Sequence, residues 1–163
     1  MKKLNFAVFI SAFLFLALTG STLSQKMVEY NWDTYHVKFE IPKTCNVDKN
    51  SSEGFGAGDD DVYLSIYPKK GDKMSFGQMK NALEDWAIDS KVYGYDKVNE
   101  LENLNGYWGV YIDGKNGDND LPATLLLLIH PDYPSTKLYV WINYRSSAFD
   151  TALKILKSFT PTY

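Results

Sequence analysis

One short run of residues constrains the fold of this 163-residue chain more than any other feature. The run Ala123-Thr-Leu-Leu-Leu-Leu-Ile129 is apolar at nearly every position, so a strand built from it presents apolar side chains on both faces. A strand with one solvated face alternates apolar and polar residues, whereas a strand covered on both faces does not. We therefore predict a central strand from Ala123 to His130, with a layer of structure on each side of its sheet.

Other segments have the alternating pattern of half-buried strands. Tyr35, Val37, Phe39 and Ile41 share one face of a strand that ends at Pro42. Further strands are predicted over 61–67, 97–104, 106–112 and 137–144. Asn105-Gly106 is typical of a tight hairpin turn between two of them. Residues 43–61 are polar and rich in glycine, so we predict a loop there.

Two helices are predicted. Ser75 and Gln78 have the spacing of a capping box, and an apolar stripe at helical spacing follows to about Asp89: Met79, Leu83, Trp86 and Ala87. Ser147 can cap a second helix, which Pro161 ends, and its stripe is Phe149, Ala152, Leu153, Leu156 and Phe159. The expected fold class is α+β: a largely antiparallel sheet of about six strands, with helices packed on its faces.

The N-terminal residues have the pattern of a signal peptide. Lys2 and Lys3 precede an apolar run from Phe6 to Leu18, and small or polar residues follow it. A run of about 13 residues is shorter than the roughly 20 that a membrane-spanning helix needs. We predict a signal peptide over 1–24, cleavage after Ser24, and one domain over 25–163. The protein is expected to be secreted or periplasmic, without a membrane anchor.

Composition excludes several classes of function. The net charge of -3 becomes about -5 without Lys2 and Lys3, which argues against nucleic-acid binding. Cys45 is the only cysteine, so an internal disulfide and a cysteine-based zinc cage are excluded. His36 is expected at the surface and His130 in a structural hydrogen bond. No nucleophile or phosphate-binding motif is found, so we predict that the protein is not an enzyme and needs no cofactor. We also predict that it is a monomer.

The stretch Asp113 to Asp120, DGKNGDND, is a candidate metal-binding loop. Calcium is bound by oxygen ligands that often lie two residues apart, and Asp118 and Asp120 have that spacing. The EF-hand pattern fails, because Lys115 occupies the second ligand position and Thr124 stands where a glutamate would close the loop. A second acidic cluster, Asp59 to Asp61, could meet this loop at one end of the sheet. A solvated turn is the favoured explanation, since Asp, Asn and Gly tolerate turn geometry.

Aromatic side chains give a candidate binding face. Within their own strands, Tyr63 lies on the same side as Tyr67, Tyr107 on the same side as Tyr111, and Tyr139 on the same side as Trp141. If the strand registers align, these six rings line one face, where Tyr107, Tyr111, Tyr139 and Trp141 would bind an apolar ligand or a glycan, or anchor a protein. The alternative is that a helix or the 43–61 segment covers the rings as ordinary core.

The order of elements, with the segments FEIP, LNGYWGVY, KLYVWINY and AFDTALKILKSF, resembles the PsbP-like superfamily, which includes the Mog-type Ran-binding proteins and many small exported bacterial proteins. The resemblance spans about 35–159 and depends on fold-keeping positions: Phe39, Pro42, Gly106, Tyr107, Leu138, Tyr139, Leu156 and Phe159. It implies an α/β/α sandwich that binds other proteins and catalyses nothing. No binding residue can be carried over from the family.

Two hypotheses for function follow, and an enzyme that combines Cys45 with His36 or His130 ranks third, because nothing in the sequence brings either histidine near the thiol. The first is an exported, non-catalytic binding or accessory protein whose partner is a protein or an envelope component. The second is a small-ligand or glycan-binding protein that uses the aromatic sheet face.

Overall fold

A computed structural model describes residues 25–162, so the predicted signal peptide over 1–24 lies outside the described residues. The strands are β1 (Met27–Trp32), β2 (Val37–Pro42), β3 (Asn46–Ser51), β4 (Gly54–Gly58), β5 (Val62–Lys70), β6 (Val92–Tyr93), β7 (Asn99–Leu104), β8 (Tyr107–Asn116), β9 (Pro122–Ile129), β10 (Thr136–Tyr144) and β11 (Thr160–Pro161). The helices are α1 (Phe76–Asp89) and α2 (Phe149–Ser158), and short 3-10 turns cover Asp33–Tyr35 and Ser146–Ala148. No helix within 25–162 is long and apolar enough to cross a bilayer.

The main sheet is antiparallel and places β9 among its central strands. Its order is β3-β4-β5-β10-β9-β8-β6, and β7 pairs with β8 beside β6. Leu125 and Leu127 pack on one face, and Leu126 and Leu128 pack on the other, all fully buried. The predicted central strand with cover on both sides is therefore confirmed.

Helix α1 covers one face of the main sheet. The Ser75 N–H donates to Gln78 Oε1 at 2.9 Å, which forms the predicted capping box. Met79, Leu83 and Ala87 turn inward and pack over β6, β8 and β9. This contact leaves the β4–β5 side of the same face without a helix over it.

The opposite face is covered by α2 together with a small second sheet, β1-β2-β11. Helix α2 packs on β2 of the small sheet and on β10 of the main sheet. The predicted hairpin turn is confirmed, because Asn105 and Gly106 both have positive φ, at 52° and 104°. Asn105 Nδ2 donates to the carbonyl oxygens of Lys157 and Phe159 at 3.0 and 2.9 Å, which joins this turn to the end of α2.

Three local predictions were wrong. Residues 43–61 contain the β3–β4 hairpin and not a loop; every β3 residue is exposed, so the strand shows no alternation. Ser147 does not cap α2, since it lies in a 3-10 turn and the helix begins after Ala148. Strand β8 continues to Asn116, so the first half of the DGKNGDND stretch is strand. The predicted α/β/α sandwich is correct for the face that α1 covers. On the opposite face, the outer layer contains the strands β1, β2 and β11 as well as α2.

Candidate functional site

The six aromatic rings do not share one face of the sheet, so that expectation was wrong. Tyr111 pairs with Leu126, whereas Tyr139 pairs with Leu127, and consecutive residues of β9 point to opposite faces. Tyr107 and Tyr111 therefore lie on the α2 side, and Tyr139 and Trp141 lie on the α1 side with Tyr63 and Tyr67. Ligand binding by Tyr107, Tyr111, Tyr139 and Trp141 stays a prediction, now divided between two faces.

The α1 side of the sheet carries a partly exposed group of rings beside the helix: Tyr63, Tyr67, Trp86 and Trp141, which we call the aromatic surface. Trp86 of α1 meets Tyr139, Trp141 and Tyr67 edge to face, with ring centroids 5.1, 6.2 and 6.3 Å apart. Tyr63 and Tyr67 are 40% and 41% exposed, while Tyr139 is only 6% exposed. The helix thus covers Tyr139 and leaves the rings on β5 open at its edge.

Tyr63 is held in position by β3 and β4. Its hydroxyl donates to Asp48 Oδ2 at 2.6 Å, and this hydrogen bond, followed by burial, raises the pKa of Tyr63 to about 12. A Cβ atom at Gly58 would overlap the Tyr63 ring, and one at Gly56 would lie 2.9 Å from the Tyr63 hydroxyl. Glycine at these two positions therefore gives the ring space to lie over β4, so part of the surface is ordered before any partner binds.

Two polar side-chain atoms of β10 on this side of the sheet are buried. Trp141 Nε1 and Asn143 Oδ1 are buried, and neither has a hydrogen-bond partner among the described residues. Because both atoms are inaccessible to solvent, they are not placed to bond to the hydroxyl groups of a surface-bound sugar. The outward chemistry of the aromatic surface is mainly that of the two tyrosines on β5.

A second candidate site is a groove of about 160 Å³ between α2 and strands β7, β8 and β9 on the other face, which we call the α2 groove. Its apolar lining is Leu101, Tyr111, Phe149, Ala152, Leu153 and Leu156. Asp113, Thr124 and Tyr144 form a polar end, and Lys157 also lines the groove. Of the four predicted ligand-binding residues, only Tyr111 lies here.

The polar end of the α2 groove is built by strand pairing. Asp113 on β8 and Thr124 on β9 are directly paired, and Thr124 Oγ1 donates to Asp113 Oδ1 at 2.6 Å. Burial raises the pKa of the neighbouring Tyr144; a hydrogen bond with Thr124 opposes the rise and the Asp113 charge adds to it. A strand pairing between positions 113 and 124 could be inferred from the hairpin, but the helix that closes the groove could not.

The two candidate metal ligands in the acidic loop, Asp118 and Asp120, already contact other side chains. Lys91 Nζ lies 3.1 Å from Asp118 Oδ1, and the Tyr93 hydroxyl donates to Asp120 Oδ1. Within the described part of the chain, no three histidine, cysteine or acidic side chains come together as a metal site. The assignment of Asp118 and Asp120 as metal ligands stays a prediction, and both carboxylates already have partners on or next to β6.

The two acidic segments do approach the same end of the sheet. Asp59, Asp60 and Asp61 line a cleft with Leu121, which directly follows the loop, and with Arg145. Asp59 Oδ1 accepts the backbone N–H groups of Asp61 and Val62 at 2.9 and 3.0 Å. This carboxylate therefore stabilises the turn into β5.

The surroundings of His130 and Cys45 indicate that both side chains have structural roles. His130 Nδ1 accepts the Asp132 N–H at 3.2 Å, and its ring lies 5.8 and 5.4 Å from those of Tyr107 and Tyr133. Burial, the negative charge of Asp59 and a hydrogen bond to Asp59 raise the pKa of Cys45 to about 12. Since the thiolate is the nucleophilic form, these surroundings suppress the reactivity that catalysis by Cys45 would need.

Cys45 is accordingly expected to react slowly with iodoacetamide at pH 8. We expect the folded protein to be alkylated on the order of a hundredfold more slowly than the urea-unfolded chain, because the thiolate population is smaller in the folded state. Asp59→Asn should increase the rate, and Asp60→Asn, at the exposed neighbouring carboxylate, should not. Mass spectrometry of timed samples measures the rate; equal rates for folded and unfolded protein would contradict the prediction.

No protein-family model matches the chain, and no curated protein matches it. Its fold is similar to that of the Saccharomyces cerevisiae Ran-binding protein Mog1p, with a TM-score of 0.57 and 8% identity over 85% of this chain and 97% of that chain. A mutant of Mog1 gives a TM-score of 0.56 at 8% identity, over 84% and 96% of the two chains. A Bacteroides thetaiotaomicron protein gives 0.51 at 14% identity, and the match covers 85% of this chain but only 49% of the other.

At these identities the likeness establishes the fold alone. The chain has the α+β fold of the Mog1 and PsbP-like proteins, as predicted.

Proposed function

We propose that this chain is an exported, non-catalytic binding protein whose partner is another protein, and that the aromatic surface is its docking site. The observation that carries the proposal is the position of α1, which packs over β6, β8 and β9 and leaves the tyrosines of β5 uncovered. Exposed tyrosine beside partly buried tryptophan is the composition of binding hot spots in protein interfaces. The predicted signal peptide over 1–24 supports export.

The charges around the aromatic surface favour an extended protein segment as the occupant. Strand β5 begins directly after Asp59, Asp60 and Asp61 and ends in Lys69 and Lys70. Lys69 Nζ lies 4.6 Å from the centre of the Tyr139 ring, so a positive charge stands at that end of the surface. Nine residues of strand span about 30 Å. We propose a segment with an apolar centre, acidic residues toward Lys69 and basic residues toward Asp61.

The fold of the structural neighbours supports a binding role. Mog1p is a Ran-binding protein, so a chain with this fold can bind another protein. The reactive groups of this chain agree, since Cys45 and His130 have the structural roles described above. A glycan is less suited to the surface, because Trp141 Nε1 and Asn143 Oδ1 are buried and do not offer it hydrogen bonds.

The test introduces a photo-crosslinking residue at Ser65, between the two exposed tyrosines, and at Ile88 on the outer side of α1 as the matched control. We expect the mature protein to form one defined crosslinked protein product in its own envelope fraction from position 65 and none from position 88. Tyr63→Ser with Tyr67→Ser should reduce that product at least tenfold, whereas Tyr133→Ser, at a tyrosine of similar exposure elsewhere, should not.

Binding of the identified partner to purified wild-type and variant protein then gives the affinities. Equal affinity of the Tyr63→Ser, Tyr67→Ser protein and the wild type would remove the aromatic surface as the docking site. Binding of glycans in place of proteins, lost in the same variant, would favour the ligand hypothesis.

A further inference from the structure

The α2 groove has the form of a small-molecule site that is separate from the aromatic surface. It lies on the opposite face of the sheet, where α2 packs on β2 and β10 and leaves a gap above β8 and β9. Its volume of about 160 Å³ is similar to that of apolar protein cavities that bind a benzene-sized molecule, at roughly 150 Å³. Apolar walls with a few convergent polar groups are the usual composition of a ligand pocket.

The polar end of the groove offers hydrogen-bond acceptors. Thr124 has one hydroxyl proton and donates it to Asp113, so the carboxylate is held in place but keeps further acceptor positions. Thr124 is 4% exposed and Tyr144 is 5% exposed, so both support the carboxylate from beneath. The ion pairs of Lys38, Lys80, Lys91 and Arg145 are with other carboxylates: Glu29, Glu100, Asp118 and Asp61. Asp113 is exposed at this end of the groove, so a ligand in the groove can reach its carboxylate.

The groove has room for a small ligand only, and two charged side chains line it, Asp113 and Lys157. Lys157 lines the groove but is exposed on the last turn of α2, whereas the Asp113 carboxylate accepts the Thr124 hydroxyl and lies on paired strands. A ligand with a positive end therefore meets the better ordered of the two charges. Both an ammonium group and a hydroxyl group can donate a hydrogen bond to this carboxylate, but only the ammonium group adds attraction between opposite charges, so we expect the groove to prefer it.

We propose that the α2 groove binds a small organic cation: an ammonium group at Asp113, carried on an apolar ring or chain of about six carbons that packs against Leu153 and Leu156. Strand pairing orients the carboxylate, α2 supplies the apolar wall, and Ala152 keeps the groove open because its side chain is short. This site does not depend on the aromatic surface, and its failure would leave the proposed docking site unaffected.

The experiment compares three compounds that share one ring and differ in charge: benzylammonium, benzyl alcohol and benzoate. Two-dimensional NMR titration of the mature protein reports both the affinity and the location of binding. We expect shifts at residues around the groove, with benzylammonium bound about tenfold more tightly than benzyl alcohol, and benzoate bound most weakly.

Variants separate charge recognition from the shape of the groove. Asp113→Asn should reduce the preference for benzylammonium over benzyl alcohol to about one and leave benzyl alcohol binding in place. Asp96→Asn, at an exposed carboxylate outside the groove, should keep the wild-type preference. Ala152→Phe should fill the groove and abolish binding of all three compounds. If that variant does not fold, the Asp113→Asn variant still tests the proposal, because Asp113 is exposed.

Three patterns of affinity would overturn the proposal. These are absence of binding by all three compounds, equal affinity for them in the wild type, or a preference for benzoate, which would assign recognition to Lys157. Shifts confined to residues outside the groove would also overturn it.

Discussion

Replacing Phe39 by alanine is expected to lower the free energy of unfolding by about 3–5 kcal/mol, the usual range for removal of a buried aromatic side chain. Phe39 is 1% exposed and lies where three parts of the molecule meet. Its ring is 5.7 Å from that of Tyr30 on β1, 5.0 Å from that of Phe55 on β4 and 5.1 Å from that of Phe159 after α2. The large effect follows because one deletion removes contacts to both sheets and to the end of the helix.

Urea denaturation followed by circular dichroism measures the change in stability. Phe149→Ala is the matched control, because it removes the same atoms from a side chain that is 51% exposed, and it should change the stability by less than about 1 kcal/mol. Phe39→Leu keeps most of the volume and should have a smaller effect than Phe39→Ala. A loss below about 1 kcal/mol for Phe39→Ala would mean that the small sheet does not pack on the main sheet in this way.

The elements that could be predicted from the sequence have strong local signals. The Ser75 and Gln78 pair marks the start of α1, since both residues are needed to satisfy backbone groups at a helix start. Asn105 and Gly106 mark the β7–β8 turn because both tolerate positive φ. The Ala123 to Ile129 run predicts a covered strand from composition alone. Each of these signals lies within a few residues and does not depend on distant parts of the chain.

The elements that were missed depend on distant parts of the chain. Strand β3 is an exposed edge, so burial imposes no alternation on it, and β4 packs through glycines beneath Tyr63, which resemble loop residues in the sequence. An edge strand with a register shift and charged residues is a common way to prevent pairing with other molecules. The predicted loop over 43–61 was wrong for this reason.

The candidate sites, like the strands and helices, could be predicted only where the signal in the sequence is local. Alternation places Tyr139 and Trp141 on one side of their strand, as predicted, but it cannot decide which face of the sheet that side becomes. Register decides this: Tyr111 pairs with Leu126, and Tyr139 pairs with Leu127. The α2 groove was not predicted because it exists only where α2 stops short of β8, a result of long-range packing.

Leu126→Ala and Leu127→Ala are each expected to lower the free energy of unfolding by about 2–5 kcal/mol. Both side chains are fully buried, but in different cores. Leu126 packs between the main sheet and the layer of α2 and the small sheet, whereas Leu127 packs beneath α1. Adjacent residues of one strand are therefore both critical only if both faces of the sheet are covered.

The comparison of the two variants tests the layered fold directly. Val47→Ala, on the exposed edge strand β3, is the control for loss of an aliphatic side chain from a strand and should cost less than about 0.5 kcal/mol. If either leucine variant were as mild as the Val47 control, one face of β9 would be open to solvent, and the layer over it would be misplaced. Similar large losses at both positions would support a sheet enclosed by α1 on one side and by α2 with the small sheet on the other, which is the arrangement that leaves the aromatic surface and the α2 groove on opposite faces.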